Sequence, residues 1–139
     1  MTRIRIELPE QFSFSTKIAI RITDLNYGGH VGNDTILTLI HEARVQFLKH
    51  FGYQELNLEG VSLIMSDAAI EFKNELFYGD SVTASVAANN FSRVGFDLFY
   101  KLNLNETNIA IAKTGMICYN YDLKKVVSLP EAAKEKLFG

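Results

Sequence analysis

Residues 13–22, SFSTKIAIRI, alternate polar and apolar side chains, so Phe14, Thr16, Ile18, Ile20 and Ile22 fall on one face of a half-buried strand. The period then changes. In DTILTLIHEARVQFLKHFG (34–52), Ile36, Ile40, Ala43, Phe47 and Phe51 recur at steps of three and four, and Leu37 and Leu48 widen the stripe. That pattern predicts an amphipathic helix of about five turns. Asp34 reads as its N-cap and Gly52 as its C-terminal stop. Beyond the helix the strand period returns. VSLIMSDAAIEFKN (61–74) is strand-like with a polar break at Ser66-Asp67 that suggests a bulge, and YGD (78–80) signals a turn. SVTASVAANNF, VGFDLFYKLNL and NIAIAKTGMICYNY follow, joined by short polar or glycine-containing segments suited to hairpins. LPEAAKEKLFG closes as a short helix with Pro130 near its start. One long helix followed by an antiparallel meander is an α+β pattern in which the sheet covers the helix.

Composition narrows the function classes. A chain of 139 residues is one domain's length, with 22% charged and 47% hydrophobic residues as in soluble globular proteins. A net charge of −2 gives no reason to expect nucleic acid. No stretch is long and apolar enough to cross a membrane, and MTRIRIELPEQ lacks a signal-peptide core, so a cytoplasmic protein is expected. The single Cys118 excludes an internal disulfide, and three scattered histidines have no ligand spacing, so neither metal nor cofactor is implied.

The loop DLNYGGHVGND (24–34) is the densest cluster of polar and glycine residues, and it lies directly before the helix. A helix start presents free backbone N–H groups and the positive end of the dipole. Such a junction suits an anion, or an oxyanion formed in acyl transfer.

Four segments in order carry a family resemblance: RITDLNYGGHVGN before the helix, HEAR within it, AIEFKNELFYGD at the next strand and turn, and SLPE near the end. Together, over about residues 13–131, they resemble the hotdog-fold acyl-CoA thioesterases, in particular the 4-hydroxybenzoyl-CoA thioesterase type. The resemblance implies a hotdog fold, with five or six antiparallel strands wrapped around one long helix across a single domain, 1–139. It also implies a homodimer or dimer of dimers with active sites between subunits, and an acyl-CoA or acyl-carrier-protein substrate.

One position departs from the family pattern Asp-x-Asp-x-x-Gly-His-Val-x-Asn. Asp24 matches the first aspartate, a loop-structuring residue, but Asn26 stands where the family has the carboxylate credited as nucleophile or general base. An amide cannot take a proton from water near neutral pH, although it can orient water or a thioester carbonyl. The resemblance places the oxyanion donor at the backbone N–H of Asn33, a residue that could equally cap the helix together with Asp34. His30 could donate to the substrate, position water or bond the loop backbone. Gly28, Gly29 and Gly32 are turn glycines that would also admit a thioester closely. Tyr27 either lines the acyl site or packs on a neighbouring subunit. His41 matches a position lining the acyl pocket, and Arg93 matches a basic hairpin near the nucleotide of coenzyme A.

On the helical wheel, with Ile40 at zero and about 100° per residue, Glu42 falls near 200°, away from the apolar stripe. His41 falls at the edge of the stripe, near 100° by the same count, and Arg44 inside it, near 40°. Glu42 is therefore read as a solvated or interface charge rather than as the missing acid. Arg44 needs a partner, for which Asp24 or Glu71 are candidates. Two functions follow: a thioesterase working through Asn26, His30 and the helix-start amides, or a non-catalytic hotdog protein that binds an acyl thioester.

Overall fold

A computed structural model of the chain describes residues 1–138. The elements run β1 (Phe14–Ala19), a 3-10 turn (Ile22–Asp24), α1 (Asn33–His50), β2 (Ser62–Phe72), β3 (Ser81–Asn89), β4 (Gly95–Leu104), β5 (Thr107–Asn120), β6 (Lys125–Val126) and α2 (Glu131–Phe138). The strands form one antiparallel six-stranded sheet in the order β1-β3-β4-β5-β2, with the short β6 added to the end of β5. The anticipated break in β2 is a bulge, where the register with β5 shifts between Met65 and Asp67.

Strand alternation sorts the sheet into two faces. Val82, Ala84 and Val86 of β3, Phe96, Leu98, Tyr100 and Leu102 of β4, and Ala110, Ala112 and Met116 of β5 are buried on the face that receives α1. The helix answers with Ile36, Leu39, Ile40, Ala43, Arg44, Phe47 and Leu48. Leu39, outside the expected stripe, is buried, while Leu37, inside it, is exposed. Residues 1–13 carry no regular secondary structure and cross the opposite face. There Ile6 N–H donates to Glu71 Oε2 at 2.8 Å, and Lys101 Nζ lies 4.9 Å from the centre of the Phe12 ring.

Both ends of α1 are fixed by the backbone. At the C-terminus, Tyr53 N–H bonds the Leu48 carbonyl at 2.8 Å and Gly52 N–H bonds that of Lys49 at 2.9 Å. This is a Schellman motif, closed by Gly52 at φ +85 as its position after the stripe predicts. At the other end the strand reading of 13–22 runs too far. The chain turns at Ile22–Asp24 because buried Asp24 accepts from Arg21 N–H at 2.8 Å, and Ile22 is left 67% exposed instead of facing the core.

Gly95, at the start of β4, touches the β5 backbone: a Cβ there would lie 2.1 Å from the Met116 carbonyl oxygen. Gly95→Ala must push β4 and β5 apart. It is expected to lower the unfolding free energy by about 2–3 kcal/mol, the range of overpacking changes, measured by urea denaturation.

Candidate active site

The loop before α1 closes on itself. Leu25 and Val31 form an isolated antiparallel bridge, Asn26 N–H bonds the His30 carbonyl at 2.9 Å, and Gly29 N–H bonds the Asn26 carbonyl at 3.1 Å. Gly29 sits at φ +85, a conformation side-chain-bearing residues rarely adopt. Inside this turn Asn26 Oδ1 accepts from Gly28 N–H at 2.9 Å, an Asx-turn contact. The oxygen of the amide is thus occupied by the loop. Its nitrogen lies beside the helix start, where a Cβ placed on Gly32 would be 3.7 Å from Asn26 Nδ2.

Helix α1 begins two residues earlier than its sequence suggests. Gly32 is the N-cap, Asn33 the first helical residue, and no side chain caps the first turn. Asn33 and Asp34 therefore do not cap, contrary to expectation. Val31 N–H bonds the Leu76 carbonyl at 2.9 Å, which pins the chain to the β2–β3 connection, and Gly32 turns into the helix immediately afterwards. Asp34 falls within the first turn, where its charge complements the dipole but caps nothing. The first-turn amides, beginning with Asn33 N–H, are left without a capping side chain.

His30 is oriented by its own loop. Its Nδ1 lies 3.1 Å from the Val31 carbonyl, to which it can only donate, so the neutral ring carries its proton there and leaves Nε2 bare. Nε2 points to Glu75 of the β2–β3 connection, 3.8 Å from Oε1. Tyr27, at the loop tip, is fully exposed.

The other expected site residues lie elsewhere. His41 is on the third turn of α1, with Nε2 2.8 Å from Glu55 Oε1. The same carboxylate takes Arg44 Nε at 3.0 Å through Oε2. Arg44 also reaches Tyr100 Oη at 3.4 Å, and Tyr100 in turn bonds Thr114 Oγ1 at 2.7 Å. The partner of Arg44 is therefore neither Asp24 nor Glu71. Asp24 is spent on the 3-10 turn and Glu71 on Ile6 and Lys73, whereas Glu55 folds back from the loop after the Schellman turn. Burial alone would raise the Glu55 carboxyl; the His41 hydrogen bond and the Arg44 guanidinium overcome it and hold the group below the ordinary glutamate range. Glu42 is exposed and accepts from Gln46 at 2.7 Å, as its place on the wheel predicts.

Arg93 lies in the β3–β4 connection, 3.5 Å from Ser128 Oγ. The loop at Asn26 adjoins the other end of β3, so the nine residues of that strand stand between them. Arg93 and Asn26 are not brought together within one chain. Cys118 is no candidate nucleophile, since burial pushes its thiol up to about 11. Sequence reasoning misses Glu55 and Glu75 because both lie in irregular connections, where no periodicity marks a side chain's direction.

A sheet wrapped around a long helix, with a glycine-rich loop delivering the chain to an uncapped helix start, is the hotdog architecture. Residues 20–137 match the Thioesterase-like superfamily, and the chain belongs to that family. It is 32% identical over 124 residues to a 1,4-dihydroxy-2-naphthoyl-CoA hydrolase of Microcystis aeruginosa, covering 85% of this chain and 88% of the relative. Among solved structures it resembles a 1,4-dihydroxy-2-naphthoyl-CoA thioesterase from Synechocystis, with a TM-score of 0.81 and 21% identity over 89% of this chain and 94% of that one. A thioesterase complexed with coenzyme A and Zn from Thermus thermophilus matches with a TM-score of 0.80 and 19% identity, over 93% and 100% of the two chains. No helix among the described residues is long and apolar enough to cross a membrane.

The Glu55 cluster makes a test of stability. Glu55→Gln leaves the buried guanidinium of Arg44 without its counter-charge and is expected to cost about 3 kcal/mol at pH 7. A carboxyl depressed in the folded state contributes stability above its unfolded value and loses it as pH falls through the folded one. The gap between wild type and variant should therefore close below about pH 4.5, the unperturbed glutamate region. Urea denaturation of both proteins at pH 7 and pH 3 measures it.

Proposed function

We propose that this protein hydrolyses an acyl-CoA thioester to the free acid and the thiol. The observation that carries the reading is the junction itself, in a member of the Thioesterase-like superfamily: an amide whose nitrogen lies beside an uncapped helix start. Attack on the thioester carbonyl moves negative charge onto its oxygen. The N–H of Asn33 and Nδ2 of Asn26 are the donors suited to that oxyanion, each worth about 3 kcal/mol when preorganised. Gly29 keeps the loop tight enough for the carbonyl to approach, and His30 is placed to hold the attacking water.

An aromatic acyl group is the reading favoured for the substrate, because the relative that is 32% identical is named for a naphthoyl thioester. The 4-hydroxybenzoyl type suggested by the sequence belongs to the same chemical class, and an acyl-carrier-protein thioester is the alternative carrier. A homodimer, or a dimer of dimers, agrees with the full exposure of Tyr27 and the distance of Arg93 from the loop. In such an assembly Tyr27 and His41 would meet the acyl group, and Arg93 the nucleotide, in a site shared between copies. The cytoplasm, where acyl-CoA is made and used, is the compartment this function suits.

The second reading, a domain that binds an acyl thioester without cleaving it, is motivated by Asn26 alone. Purified protein should release free thiol from aromatic acyl-CoAs, with 1,4-dihydroxy-2-naphthoyl-CoA and 4-hydroxybenzoyl-CoA compared against straight-chain acyl-CoAs. Asn26→Ala should cut kcat by about 100-fold as one oxyanion donor is lost. Thiol release no faster than in buffer across the panel, with a large gain in Asn26→Asp, would establish the binding domain instead.

A further inference from the structure

The proposed hydrolysis lacks one component: a group that takes the proton from water. Asn26 cannot do so, and its oxygen is already held by Gly28 N–H. We propose that Glu75 is the general base of this site, a carboxylate delivered from the β2–β3 connection in place of one at position 26. The inference rests on the thioesterase reading and deepens it.

Four observations carry it. His30 Nδ1 faces the Val31 carbonyl, so the neutral ring offers only Nε2, an acceptor, to the site. Glu75 Oε1, a second acceptor, lies 3.8 Å from that nitrogen. Two acceptors at this spacing do not bond each other, but together they can take both protons of one water, leaving its oxygen lone pairs free to attack. The pair is also anchored to the helix start, because Val31 N–H bonds the carbonyl of Leu76, the residue after Glu75. Finally, the His30 ring lies over the Asn26 turn: a Cβ on Gly28 would meet Asn26 Oδ1 at 3.2 Å and His30 Nε2 at 3.7 Å. The imidazole thus adjoins both the Asn26 turn and the Glu75 carboxylate. Glu75 is 61% exposed, so a water can reach it.

The step balances without a further reactant. As the water oxygen bonds the acyl carbon, one of its protons passes to Glu75 Oε1 and the carbonyl electron pair moves to oxygen. When that pair returns, the C–S bond breaks and its electrons leave with sulfur, which takes the proton from Glu75. The products are the acid and the free thiol, and the carboxylate is restored.

Asp34 is the competing carboxylate, since its Oδ1 would lie 2.6 Å from a Cβ on Gly32 and so borders the same junction. Glu75 is preferred because only it faces a ring nitrogen. The test measures kcat and KM on the best aromatic acyl-CoA for wild type, Glu75→Gln, Glu75→Asp, Glu75→Ala and Asp34→Asn. Glu75→Gln should lose about 100-fold or more in kcat, the range of general-base catalysis, with KM within about threefold. Glu75→Asp should keep part of the rate, added formate should restore turnover to Glu75→Ala, and Asp34→Asn should stay near wild type. A Glu75→Gln enzyme with wild-type kcat, a change in KM alone, loss in Asp34→Asn instead, or a Glu75→Ala enzyme that formate leaves inactive would each overturn the assignment. In those cases wild-type hydrolysis leaves the thioesterase reading standing. A wild-type protein that releases no thiol overturns both.

Discussion

The burial of α1 against the inner face of the sheet is the constraint on which the rest of the molecule depends. Ile40, Ala43, Phe47 and Leu48 have no solvent exposure, and they meet strands whose inward residues are equally closed. Side chains packed to crystal-like density leave a helix no room to slide or turn. Its ends are held as firmly: the Schellman turn at Gly52 stops the C-terminus, and the Val31–Leu76 hydrogen bond delivers the chain to the N-terminus. The helix start is therefore fixed relative to the loop that precedes it. Donors aimed at a developing charge help only when they need not move to reach it, and misplacement by about 1 Å can cost 100-fold in rate. The core supplies that fixity.

Within this frame Asn26 has two jobs that an amide can perform at once. Its oxygen closes the turn on Gly28, and its nitrogen lies beside the helix start. A carboxylate at the same position could still accept from Gly28, but it would present no donor to an oxyanion. Proton removal and charge stabilisation are different tasks, and the positive end of a helix dipole favours the second. In the proposed mechanism the carboxylate stands on a separate connection, beside His30, and the two tasks fall to different side chains.

What can be read from the sequence follows from where periodicity exists. The alternation of β3 to β5 and the steps of α1 specify both the elements and their inward faces, because each buried position repeats the same geometry. The bulge at Ser66-Asp67 and the stop at Gly52 are legible because the residue chemistry there breaks the pattern. Three features are not. Ile22 continues the alternation, yet a single buried carboxylate, Asp24, bends the chain away. Asn33 and Asp34 are strong capping types, but tertiary pinning at Val31 makes Gly32 the N-cap, ahead of both. Glu55 and Glu75 lie in irregular connections, where direction is set by distant contacts and not by local pattern.

The polar thread through the core explains why only one of the two site-side histidines is free to act. Arg44 is buried and needs a counter-charge, which it finds in Glu55, while its far side is satisfied by Tyr100 and then Thr114. Breaking such a network costs more than any one bond within it, because each member left unpaired is desolvated. His41 shares Glu55 with Arg44 at 2.8 Å, so its ring nitrogen is drawn into the structural cluster. His30 has no such tie: its Nδ1 is spent on a backbone carbonyl and its Nε2 faces a largely exposed carboxylate. Of the two rings, His41 is held by the demands of folding, and His30 is the one whose Nε2 stands beside a largely exposed carboxylate.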